Sequence, residues 1–133
     1  MATVAPILET PPDGADMPVG VLVYKWAACA SGDTLSPLPV PWFSDCAVQV
    51  SRDATPGTYG NGIVSIKGTL STQAVPTANE TVILTTPGGA QLALSSDRVE
   101  QILQRVYQII PSFSGTTGSH IDIRVLLSTS ARR

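Results

Sequence analysis

After Gly20, strand-like apolar stretches follow one another at a spacing of about ten residues, each closed by Gly, Pro, Asn or Ser. That rhythm constrains the fold more than anything else in the chain, because an amphipathic helix needs a longer uninterrupted interval to bury one face. Val21–Cys29 (VLVYKWAAC) is the first such stretch. Prolines 37, 39 and 41 then lead through Trp42 and Phe43 to Cys46–Asp53, where Val48 and Val50 alternate with Gln49 and Ser51. Asn61-Gly62 tolerates the positive φ of a type I′ turn and predicts a hairpin into Gly62–Leu70. In that strand Ile63, Ser65 and Lys67 share one face and Val64 and Ile66 the other. Thr81–Thr86 and Ala90–Ser95 flank Pro87-Gly88-Gly89 as a second predicted hairpin, and Tyr107–Ser114 and His120–Thr129, joined by GTTGS, make a third. In the last strand His120, Asp122 and Arg124 fall on one face, with Ile121, Ile123 and Val125 on the other.

One interval reads as a helix. In Asp97–Val106, Asp97 and Glu100 resemble a capping box, and Val99, Ile102, Leu103 and Val106 recur at helical spacing. The expected fold is therefore all-β, two packed antiparallel sheets or a small barrel, with one short α-helix near 97–106.

Residues 1–20 form a separate segment, a Pro-rich N-terminal arm preceding a single domain over 21–133. The arm holds four prolines and three acids and no base, giving it charge −3 against +1 for the remainder. Proline lacks the amide N–H and fixes φ, so Glu9–Gly20 is excluded from helix and from a central strand. The segment reads either as a disordered tail or as an extended arm; Val4, Ile7 and Leu8 give such an arm something to bury, on its own domain or on a neighbour, and are the expected partner-binding residues.

At 133 residues the chain is one domain in size. Charged residues make up 14%, well below the roughly 25% of an average soluble domain, so hydroxyl-bearing residues cover much of the surface. A net charge of −2 without a basic face speaks against nucleic acid, and no run of about 18 apolar residues is present to cross a membrane. The first residues lack a basic n-region and are not read as a signal peptide. Cys29 and Cys46, both in apolar stretches, are expected to be free thiols.

No catalytic or metal constellation stands out. His120, the single histidine, has Ser114, Ser119 and Asp122 nearby, but no G-x-S-x-G elbow surrounds any of these serines. One histidine and two distant cysteines cannot complete a zinc tetrahedron, and no calcium loop occurs. The glycines at 57, 60 and 62 lack the order of a phosphate loop. The expectation is a non-enzymatic chain with no catalytic, cofactor-binding or metal residues. Most of its seven aromatics, Trp26, Trp42 and Phe43 among them, are expected to fill the core rather than form a sugar platform.

Several blocks taken together resemble the head decoration, or cement, proteins of tailed bacteriophages. They are VYKWAACASGD, DCAVQVS with its Gly-rich sequel, IVSIKGTLS, and LTTPGGAQLALSSDRVEQILQRVYQIIPSFSGTTGS followed by IDIRVLLSTSARR. The resemblance covers most of 21–133 by pattern. It implies a jelly-roll β-sandwich, made in the bacterial cytoplasm and carried on the capsid surface of the virion. It further implies binding between major capsid protein subunits, a homo-oligomer (dimer or trimer), and no cofactor. A tail or head–tail connector component and a carbohydrate-binding β-sandwich are the alternative readings.

Overall fold

In the computed structural model, the described residues are 2–9, 21–40, 45–52, 62–74, 76, 78–84, 91–93, 98–102, 104–115 and 120–128. They form twelve strands: β1 (Thr3–Val4), β2 (Ile7–Leu8), β3 (Val21–Cys29), β4 (Thr34–Leu35), β5 (Leu38–Pro39), β6 (Asp45–Arg52), β7 (Ile63–Thr69), β8 (Val82–Ile83), β9 (Gln91–Ala93), β10 (Arg98–Ile102), β11 (Gln108–Ser114) and β12 (Ile121–Ser128). One sheet has the order β10-β6-β12-β3-β2 and the other the order β5-β11-β7-β8, with β9 also paired to β7.

Four antiparallel pairs nest inside one another along the chain: β3 with β12, β5 with β11, β6 with β10, and β7 with β9. Such nesting is a long hairpin doubled over and rolled, so members of successive pairs alternate between the two sheets. It is the eight-stranded jelly-roll order. The sandwich expected from strand spacing is present, and its winding is the one the resemblance implied.

The core lies between the inner faces. β12 supplies Ile121, Ile123, Val125 and Leu127, in strict alternation with outward residues, and Val48, Val50, Trp26 and Ile102 extend that layer. Val64, Ile66, Ile109 and Phe113 face them from the second sheet. Trp26 is fully buried, and its indole N–H donates to the Ser36 carbonyl at 3.0 Å, so no donor is stranded. Gly68 sits where a Cβ would come within 2.9 Å of both Leu84 methyls and of Val106, so close packing requires the missing side chain.

Four sequence expectations are corrected. Arg98–Ile102 is strand β10, not helix; all five of its residues pair with β6, from Arg98 opposite Val50 to Ile102 opposite Cys46. The helical spacing is outweighed because β6 needs a partner on its open edge, and a strand satisfies that whole ladder. Asp97 and Leu103 lie outside the described residues. The 111–127 stretch is not a hairpin either: β11 belongs to one sheet and β12 to the other. The same holds for the turn at Asn61-Gly62, since β6 and β7 are in different sheets. Lastly, β8 and β9 do not pair with each other but both run antiparallel to β7. The Leu84 N–H donates to the Ile66 carbonyl and Gln91 pairs with Ser65, so β8 and β9 follow one another along the edge of β7 that β11 leaves open, and the Pro87-Gly88-Gly89 turn lies outside the described residues.

The described part of the arm lies on its own domain. β1 pairs in parallel with β4, and β2 extends the first sheet beyond β3, Ile7 opposite Lys25 and Leu8 opposite Tyr24.

Candidate docking face

Strand alternation places a defined set of side chains on the outer face of the β10-β6-β12-β3-β2 sheet. Cross-strand register arranges them in two rows. Ile7, Lys25, Arg124, Gln49 and Val99 form the first. Val23, Leu126, Ala47 and Gln101 form the second, with Glu9 at its end, where the Glu9 N–H donates to the Val23 carbonyl at 2.8 Å. Ala47 is the small member between larger neighbours, and the face dips there. The resulting groove has a volume of about 300 Å³ and is lined by Val23, Ala47, Gln49, Val99, Arg124 and Leu126, with Glu9 at its rim. Val99 is 65% exposed and Leu126 42%.

The charges beside the groove are coupled. The Arg124 Nε donates to both Glu9 carboxylate oxygens, at 3.0 and 3.3 Å, and its Nη1 donates to the Ser51 hydroxyl at 3.4 Å. Lys25 Nζ lies 3.5 Å from the same carboxylate. The Arg124 hydrogen bond, helped by both positive charges, outweighs desolvation and holds the Glu9 carboxyl below the usual carboxylate range. Among the described residues, two cations thus converge on one carboxylate at this place.

The region singled out around His120 has a structural task. β3 holds one more residue than β12 between the pairs Ile121–Cys29 and Ile123–Trp26, which makes a β-bulge. Ala28 adopts φ 51° there, and its N–H donates to Asp122 Oδ1 at 2.9 Å. Asp122 is therefore engaged with backbone, His120 is exposed, and Ser119 lies outside the described residues. A second carboxylate does similar work at the next turn. Asp33 accepts from the Ala30 N–H at 2.9 Å and from the Ala2 N–H at 3.0 Å. Those backbone donors, Ala2 first, lower its acidity range. Gly32 at φ 86° supplies the left-handed residue this turn requires.

Of the arm residues expected to meet a partner, Val4 is turned against its own core, while Ile7 and Leu8 stand 62% and 45% exposed. Cys29 and Cys46 are free, the first buried and the second half-buried, and burial pushes both thiols up to about 12. Trp42 and Phe43 lie outside the described residues. Among the described residues no group of three His, Cys, Asp or Glu could hold a metal ion, and no helix is long and apolar enough to cross a membrane.

The groove was hidden in the sequence because its members come from four strands, β3, β6, β10 and β12, and from Glu9 of the arm. The local signals were the alternations of β6 and β12, which set Gln49 and Arg124 on the faces opposite their apolar neighbours. In comparisons with known proteins, no family model matches the chain and no curated protein matches it.

Proposed function

We propose that this chain is a structural virion protein of a tailed bacteriophage that decorates the outer capsid and binds between major capsid protein subunits. The observation that carries the reading is the nested strand pairing. The sequence blocks resemble a family for which a jelly roll is implied, and the chain winds as one. Supporting it, the carboxylates of Asp33 and Asp122 are taken up by backbone donors rather than gathered around a cleft.

The physical action is mass action on the assembled shell. A protein that binds only the assembled lattice stabilises it by RT ln(1 + [L]/Kd), about 2.7 kcal/mol per site at a hundredfold excess over Kd. Association into a dimer or trimer would add avidity, and Ile7 and Leu8 are the arm residues available to a neighbour. The carbohydrate-binding alternative is disfavoured by Trp26, whose ring is inside the core.

The test is to add the purified protein to heads assembled without it, then image them by electron cryomicroscopy and follow thermal rupture by DNA-dye fluorescence. Ordered density on the shell and a raised rupture temperature are expected. Heads that remain bare at saturating protein would overturn the reading.

A further inference from the structure

We infer that the groove on the outer face of the β10-β6-β12-β3-β2 sheet is the surface that engages the shell. Its occupant is a protein segment bearing an aliphatic side chain next to a carboxylate. The inference rests on the proposed function for the identity of the partner, but its chemistry is read from the groove alone. The apolar part of the lining is Val23, Ala47, Val99 and Leu126, and the space of about 300 Å³ accepts one large aliphatic or aromatic side chain.

Charge selects the rest of the occupant. Glu9, Lys25 and Arg124 sum to +1 at the groove's edge, and the nearby Asp122 carboxylate is directed to the Ala28 N–H. A second copy laid groove to groove would set the Glu9, Lys25 and Arg124 cluster, at +1, against its own counterpart, which is unfavourable where water is excluded. A segment carrying a carboxylate instead gives Arg124 a further acceptor for its guanidinium fork.

Two variants probe the groove without touching the core: Val99→Asp and Leu126→Asp, both at exposed positions. Each should keep the wild-type melting temperature and reduce occupancy on undecorated heads by at least about tenfold. Independently, a capped pentapeptide with leucine between two aspartates is titrated into methyl-labelled protein and followed by NMR. The Val99 and Leu126 methyl signals should shift and saturate, and the peptide with lysines in place of the aspartates should leave them unmoved. If wild-type protein decorates heads and both variants decorate them equally, the groove inference fails while the proposed function stands. If heads stay bare yet the acidic peptide binds, the proposed function fails and the groove chemistry stands. Equal shifts from both peptides overturn the charge argument. A concentration-dependent dimer abolished by Leu126→Asp would assign the groove to a second copy. A change in the Leu126 and Val99 signals of the free protein on Asp13→Asn/Asp16→Asn would assign it to the chain's own acidic segment. Either result overturns the inference.

Discussion

Ala28 and Asp122 form a unit in which one residue's strain is held by the other's charge. A non-glycine residue at φ 51° costs about 1–2 kcal/mol, and the N–H released from the ladder by the bulge needs an acceptor. Asp122→Ala removes that acceptor and is expected to lower stability by about 1–3 kcal/mol, read from the shift of the urea midpoint. Ala28→Gly relieves the strain at the expense of backbone freedom in the unfolded chain, so a gain of about 0.5–1 kcal/mol is expected in the same assay. Gly68→Ala should act in the opposite direction, by about 1–3 kcal/mol, because Leu84 and Val106 must both move aside. None of these roles was visible in the sequence. Asp122 looked like a surface partner for His120 because strand period reports which face a side chain occupies. It does not report that the opposite strand carries an extra residue.

Strand β12 shows what periodicity can deliver at the level of elements: its alternation was fully legible, and with it the position of Arg124 on the outer face. β10 shows the converse. Val99 and Ile102 are three apart, a spacing that suits one helix face, yet in the strand they point to opposite sides, one exposed and one buried. Gly, Pro and Asn were legible as breaks between strands, but they signal only that a strand ends, not whether the next one joins the same sheet. For the arm the sequence left open a disordered tail or an extended segment lying on its own domain or on a neighbour, and its described part is attached to β3 and β4. That attachment is fastened by two carboxylates, Glu9 reaching to Arg124 and Lys25 and Asp33 gripping Ala2. Both titrate below their ordinary values of 4.5 and 3.8. Their contribution is therefore complete above those values, declines as pH falls through them, and vanishes once the lowered values are passed. Melting temperature is expected to fall more steeply below about pH 4.5 in the wild type than in a Glu9→Gln/Asp33→Asn variant, which should start lower and change less.

Whole-chain topology determines how the molecule can form. The outermost pair joins Val21 to Ser128, and each inner pair also spans many residues, so few strand contacts are local. Loop closure precedes the reward from pairing, and folding in the millisecond-to-second range is expected, much slower than for a helical bundle of this size. Stopped-flow refolding followed by Trp26 burial measures it, and a microsecond phase carrying the full amplitude would contradict the nested order. The same topology has a directional consequence for anything attached to the protein. Val21 and Ser128 sit side by side at one end of β3, whereas the arm carries Ala2 along β3 to the turn at Asp33, at the other end. With nine residues of β3 between them, the poles are roughly 30 Å apart. A label placed before Ala2 and another placed after Ser128 would leave from opposite poles, and a chain begun at Val21 would send both from the same one.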